Sequence, residues 1–298
     1  MRALITGAGG FVGGWLAEHL RAAGDEVVAV DQQVEITDAP AVLSAVKSAE
    51  PEAVYHLAAL THVGASWDDP LRVLEVNVLG TAAVLAAARQ CGTEPRVLVT
   101  SSAEVYGKVA DDRDLPISET APTAPLTPYA ASKLAAEAVC LQAHAGHGQP
   151  VIVVRPFNHI GPGQSASFAV AALAQRISRA VAEGADGIPV GNLSARRDFT
   201  DVRDVVRAYR LLVERGEAGR LYNVCSGTDR SIREVAEVML EQAGVHLELR
   251  TDPELVRPVD VPVLRGDPRR LFDATGWRPE IPFEQTIADV LAWWREAA

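Results

Sequence analysis

Short apolar runs alternate with longer amphipathic stretches through the first half of the chain. Residues 3–6, 26–31, 53–57, 96–100 and 151–155 read as strands, and 11–23, 39–49, about 71–90 and a segment opening at Tyr129 carry helical periodicity. Strands that are apolar along their whole length, separated by amphipathic helices, predict a parallel sheet covered on both faces. The fold class is therefore α/β, doubly wound. Beyond Arg155 the texture changes to loops such as Gly161-Pro-Gly-Gln164 and Val256-Arg-Pro-Val-Asp-Val-Pro262 between short elements. This predicts a smaller, loop-rich substrate-binding lobe. A helix at 201–213 and a strand at 221–224 are expected to return to the main sheet. The boundaries that follow are a first domain over 1–160, rejoined by about 198–225, and a discontinuous lobe over 161–197 and 226–298.

At 298 residues the chain is long enough to bury a core without disulfides or metal. Its net charge of −11 argues against nucleic-acid binding, which needs a basic stripe. Cys91, Cys140 and Cys225 have no ligand-like spacing and read as buried thiols, which points to a reducing, cytoplasmic setting. The chain opens on a strand-like segment rather than a leader, and no apolar run is expected to reach the ~18 residues that cross a bilayer. Neither a membrane nor a metal partner is expected.

Gly7, Gly10 and Gly13, in Thr6-Gly-Ala-Gly-Gly-Phe-Val-Gly13, follow the first strand and open the first helix. Glycines there let the backbone turn tightly and approach a pyrophosphate at the helix N-terminus. Asp31 ends the second strand, where a carboxylate can accept hydrogen bonds from an adenosine ribose, so the first domain reads as a Rossmann-type dinucleotide-binding unit. A carboxylate repels a 2′-phosphate, and Gln32 and Gln33 follow it rather than Arg or Lys. NAD(H) is favoured, with NADP(H) possible. Asp38 either lies near the adenine or caps the helix that follows.

Tyr129 and Lys133 lie four residues apart behind a capping Thr127 and Pro128, so they share one helix face. An ammonium one turn from a phenol favours the phenolate, which would let the tyrosine exchange a proton well below its free pKa of roughly 10. The alternative is a surface pair at helical spacing. Only three lysines, Lys47, Lys108 and Lys133, occur in the chain, which makes a chance pairing less expected.

These residues, with His56-Leu-Ala-Ala59, Asn77 in Val76-Asn-Val-Leu-Gly80, Ser101-Ser-Ala-Glu-Val-Tyr-Gly107 and Arg155-Pro-Phe-Asn158, resemble the extended short-chain dehydrogenase/reductases (the NAD-dependent epimerase/dehydratase family). Members modify nucleotide sugars. The resemblance implies Ser102, Tyr129 and Lys133 as the catalytic set, with Ser102 preferred over Ser101 by its spacing to Val105-Tyr106-Gly107. It implies cofactor contacts from Gly7, Gly10, Phe11, Val12, Gly13, Asp31, Asp38, Leu57, Ala58, Ala59, Asn77, Tyr129 and Lys133. Glu104 matches a proton-handling glutamate of nucleotide-sugar 4,6-dehydratases, although Ala103 replaces their aspartate; its alternative is a carboxylate bonded to loop backbone.

Within that family, Asn158-His-Ile-Gly-Pro-Gly-Gln164, Ser66-Trp67, Gly191-Asn192 and Arg197-Asp-Phe-Thr-Asp-Val-Arg-Asp204 are most similar to GDP-4-keto-6-deoxy-D-mannose reductases, which make GDP-D-rhamnose. The substrate is thus expected to be a nucleotide-diphosphate sugar, GDP-linked. Arg197 and Arg257 would hold the diphosphate, since guanidinium forks match phosphate oxygens, and Asn158 and Asn192 would add amide contacts. Arg196 remains open as a neighbour, and a loop salt bridge is the alternative for each arginine. His159 is expected to pack in the pocket wall. The implied activity is NAD(P)H-dependent reduction of the C4 ketone. The alternatives are a 4-epimerase or 4,6-dehydratase with tightly bound NAD, or a dinucleotide-binding subunit without turnover. The resemblance also implies a homodimer through the 71–90 and Tyr129 helices, where Ala82, Ala83, Ala86, Ala87, Ala135 and Ala136 allow close packing.

Overall fold

In the computed structural model, which describes residues 1–109, 114–256 and 261–296, the apolar runs become strands and the amphipathic stretches cover them. The first half runs β1 (Arg2–Thr6), α1 (Phe11–Ala22), β2 (Glu26–Val30), α2 (Ala39–Ala49), β3 (Ala53–His56), α3 (Pro70–Leu74), α4 (Gly80–Arg89), β4 (Arg96–Thr100), α5 (Pro128–His147) and β5 (Val151–Pro156). The chain continues as β6 (Asn158–Ile160), α6 (Ala169–Glu183), β7 (Gly187–Val190), β8 (Arg196–Asp201), α7 (Val202–Arg215) and β9 (Leu221–Val224). It ends with β10 (Asp229–Ser231), α8 (Ile232–Ala243), β11 (Glu248–Thr251), β12 (Val263–Leu264), α9 (Arg269–Thr275) and α10 (Phe283–Glu296).

Six parallel strands pair in the order β2-β1-β3-β4-β5-β9. Side-chain alternation divides the core into two layers. Ile5, Tyr55, Leu98 and Ile152 face α1 and α7, meeting Leu16, Leu20, Tyr209 and Leu212. Leu4, Val54, Val97, Val99 and Val153 face the other way, onto Val42, Val46, Val84, Leu85 and Cys140 of α2, α4 and α5. All three cysteines are buried and free.

The chain leaves the sheet after β5 and comes back through α7 to place β9 beside β5. The excursions share a separate core in which Leu173 and Ile177 of α6 meet Val235 and Met239 of α8 and Ile287 and Leu291 of α10. β8 joins the two parts, pairing in parallel with β6 and β12 and antiparallel with β10.

Two expectations are corrected. The helix foreseen over 71–90 is interrupted by a π-helical turn at Glu75–Leu79, between α3 and α4. The apolar length also exceeds what was foreseen, since Pro70–Arg89 spans 20 residues with a mean hydropathy of 1.6, enough by length and composition to cross a membrane. Half of it is buried within the fold, and its alanine-rich face packs on α2 and α5.

Candidate active site

A cleft of about 950 Å³ opens between the C-terminal ends of the sheet strands and the second lobe. Ligand clefts of open α/β sheets lie at that edge. On one side it is walled by Gly7, Gly10, Phe11, Val12 and Gly13, by Asp31, and by Leu57, Ala58 and Ala59. In the middle stand Ser102, Glu104, Tyr129 and Lys133, and on the far side Asn158, Asn192 and Arg197.

The glycine turn is shaped by close approach. Gly7 has φ of 72°, and a Cβ there would lie 2.7 Å from the Ala58 backbone nitrogen. A Cβ on Gly13 would run into the Gly7 carbonyl oxygen, and one on Gly9 would overlap the Asp31 carboxylate. The result is a bare backbone cradle at the N-terminus of α1, with a carboxylate at the end of β2. Amide groups and helix dipole suit a diphosphate, and the carboxylate suits a ribose diol, so these residues fit a dinucleotide. Asp38 is exposed, caps α2 by accepting from the Ala41 amide at 3.1 Å, and is not among the cleft-lining residues. Asn77 lies behind the wall, 1% exposed, and ties Leu60 to Ser132.

Thr127 caps α5 through the Ala130 amide at 3.1 Å, which sets the face carrying Tyr129 and Lys133. Both are buried, as is Ser102, whose hydroxyl accepts from the Glu104 amide at 3.1 Å. Ser101 instead donates its hydroxyl to the buried Glu137 carboxylate, which leaves Ser102 to serve the cleft. The Lys133 ammonium donates to the Thr100 carbonyl at 2.8 Å and stands 6.0 Å from the Tyr129 ring centre.

The proton balance differs from the expectation of a phenol held low by its lysine. Burial pushes Tyr129 up to about 12, with Ser102 offsetting part of the rise. Burial brings Lys133 down to about 8. Each group loses hydration, which penalises whichever form carries charge, and spacing alone carries no information on burial. Among the described residues no backbone group of its loop holds the Glu104 carboxylate.

At the sugar end, the Asn192 side-chain oxygen accepts from the Ser194 amide at 3.0 Å and hydroxyl at 2.7 Å. Arg197 is 9% exposed and donates to the Arg196 and Val261 carbonyls at 2.8 and 2.6 Å, so its guanidinium is fixed at the cleft wall. Arg196 points elsewhere and pairs with Asp229 and Glu234. Arg257 lies outside the described residues. His159 packs as expected, stacked on Phe11 at 6.2 Å and 13°, with burial keeping its pKa low. No cluster that could hold a metal occurs among the described residues. Gln164, the last residue of the Asn158–Gln164 motif, Phe168 and Arg176 also line the cleft, although no contact was assigned to any of the three from sequence. Gln164 and Phe168 precede α6 and Arg176 lies midway along it, so no shared sequence signal marks them.

A sequence model of the GDP-mannose 4,6 dehydratase family matches residues 32–290. The chain belongs to that family. Through it the chain is also a member of the extended short-chain dehydrogenase/reductases. This family member is 42% identical over 297 residues to the GDP-6-deoxy-D-mannose reductase of Pseudomonas aeruginosa, covering 98% of this chain and 97% of that protein. Its fold superposes on RMD from Pseudomonas aeruginosa complexed with NADPH, with a TM-score of 0.93, 40% identity and all of both chains covered. A Thermus thermophilus UDP-glucose 4-epimerase in complex with NAD matches this family member at a TM-score of 0.89 and 30% identity, again over all of both chains.

Proposed function

We propose that this chain is an NAD(P)H-dependent reductase acting on the C4 ketone of GDP-4-keto-6-deoxy-D-mannose to give GDP-D-rhamnose. The observation that carries the reading is the meeting of Ser102, Tyr129 and Lys133 in one cleft with the glycine cradle and Arg197. The 42% identity to a protein named GDP-6-deoxy-D-mannose reductase supports the same substrate class. When bound, a reduced nicotinamide supplies the hydride. The Ser102 hydroxyl donates to the ketone oxygen, and Tyr129 gives that oxygen its proton. A phenol held near 12 is fully protonated at neutral pH, the form a reduction needs. Lys133, held in place by Thr100, orients the cofactor ribose beside the tyrosine. Arg197, Asn158 and Asn192 orient the nucleotide diphosphate and sugar.

Asp31 supports NADH as the preferred reductant. No cation stands among residues 32–38 to meet a 2′-phosphate, and the nearby Arg72 is paired with Glu35 and Glu75. A homodimer is supported by the exposed apolar face of Leu71, Leu74 and Leu79, with exposures of 76%, 40% and 60%. Buried free thiols suit a cytoplasmic setting.

The test is turnover with GDP-4-keto-6-deoxymannose and either reduced cofactor, followed at the nicotinamide absorbance band and by mass of the product. One reduced cofactor consumed per alcohol formed is expected, and none consumed sinks the reading. The second reading, a dehydratase or 4-epimerase with retained NAD, is favoured by Glu104 facing the cleft. It predicts product without net cofactor consumption.

A further inference from the structure

Behind the cofactor wall, a line of buried polar side chains runs from the glycine turn to the catalytic helix. Thr6, His56, Thr81, Asn77 and Ser132 are all between 0% and 3% exposed, and they come from β1, β3, α4, the π-helical turn and α5. The proton positions can be assigned in order. The Thr81 hydroxyl donates to the Asn77 carbonyl at 2.7 Å, which uses its only proton. Toward His56 Nε2, at 3.1 Å, Thr81 can then only accept, so Nε2 carries the hydrogen. Burial brings the His56 pKa down to about 3, so the ring is neutral and Nδ1 is bare. Nδ1 accepts from the Thr6 hydroxyl at 2.7 Å, and Thr6 Oγ1 in turn accepts from the Ala58 amide at 3.4 Å. Every link points one way, from Ala58 through Thr6, His56 and Thr81 to Asn77.

Asn77 completes the line. Its side-chain oxygen accepts from the Leu60 amide at 2.8 Å, and its Nδ2 donates to the Leu60 carbonyl at 3.1 Å and to Ser132 Oγ at 2.9 Å. Ser132 donates to the Tyr129 carbonyl at 2.7 Å. Of these five side chains none opens into the cleft, yet the line begins at Ala58, which forms its wall, and ends on the backbone of Tyr129.

We propose that His56, in its Nε2–H form, is a positioning residue that couples the adenosine-diphosphate half of the cofactor cradle to the Tyr129–Lys133 helix through Thr81 and Asn77. A fully satisfied buried network has one low-energy arrangement, so moving the Ala58 wall and moving the start of α5 are no longer independent. A break in the middle leaves His56 Nε2–H without an acceptor and releases the two ends from each other. The consequence for turnover rests on the reductase reading; the coupling itself does not.

The test uses ADP, which carries the adenosine and diphosphate but lacks the nicotinamide half. Amide hydrogen exchange is measured in wild type, Thr81→Val and Thr81→Ser with saturating ADP. In wild type ADP is expected to slow exchange both at residues 57–60 and at the start of α5, 129–133. Thr81→Val keeps the first effect and loses the second, while Thr81→Ser retains both. Thr6→Val cuts the same line at its other end and repeats the Thr81→Val result, should that variant fold poorly. In the turnover assay, Thr81→Val lowers kcat about tenfold while the cofactor Kd stays within about threefold, because alignment rather than affinity is lost. Equal protection of 129–133 in wild type and Thr81→Val overturns the proposal, as does its absence in wild type when 57–60 is protected. A wild-type protein that couples ADP to α5 but consumes no reduced cofactor overturns the reductase reading and leaves the coupling standing.

Discussion

Tyr129 sits on the helix face that the sequence predicts, but its proton is held by burial rather than released by Lys133. Tyr129→Phe is expected to lower kcat by a factor of about 10² to 10⁴, with the unfolding transition unchanged. Residual turnover at the wild-type level would mean that the phenol is not the proton donor. His56 gives a pH dependence whose sign follows from its depressed pKa. The unfolded ring binds a proton below its ordinary value of about 6.5, and the folded one does so only near 3. Unfolded chains therefore hold more protons between those values, so the His56 contribution is present above about 6.5 and is lost as pH falls towards 3. Thermal unfolding from pH 7 to 4 should show a shallower loss in His56→Gln than in wild type. Asp31 carries a third expectation: NADH is preferred over NADPH by about tenfold or more in kcat/KM, and Asp31→Ala narrows the gap. A wild-type preference for NADPH would reverse the assignment of that carboxylate. The glycine turn, Asp31, Ser102 and Tyr129 were legible because each depends on a few neighbouring residues. The Tyr129 pKa was not, because desolvation depends on what the rest of the chain packs around the ring.

Element by element, the most consequential buried contact joins α5 to β5. Glu137 receives two bonds from Arg155, at 2.8 and 2.6 Å, together with the Ser101 hydroxyl, and Arg155 lies 4.8 Å from the centre of the Tyr106 ring. The pair holds the end of β5, and Ser101 the end of β4, against the catalytic helix one turn beyond Lys133. Glu137→Ala leaves a buried guanidinium uncompensated and should cost about 3–5 kcal/mol in urea unfolding. A loss within the error of the wild-type curve would show that Arg155 finds another partner. In the sequence Glu137 is one more helical carboxylate, and only the approach of β5 makes it structural. The strands and most helices were legible from periodicity, and the return of α7 and β9 to the sheet from their apolar pattern. The π-helical turn was not, since Val76-Asn-Val-Leu-Gly80 carries no residue that marks it. The contacts of Gln164, Phe168 and Arg176 escaped for another reason: they depend on how α6 and the loop before it face the edge of the sheet.

For the molecule as a whole, the leucines of α3 and the turn after it are exposed, and the proposed homodimer would bury them. Leu71→Glu with Leu79→Glu should convert a dimer to a monomer in sedimentation velocity at micromolar concentration. A monomeric wild type would remove the premise. The π-helical turn at Glu75–Leu79 bears on how this molecule tolerates genetic change. A π turn accommodates one residue more than an α turn, so losing one codon there would leave a continuous α-helix with α4 close to its present register. Thr81 would stay at His56, and Val84 and Leu85 would stay in the core. The surplus residue thus lets a buried helix absorb a single in-frame deletion as a surface loop does, between the outer face of the molecule and its catalytic interior.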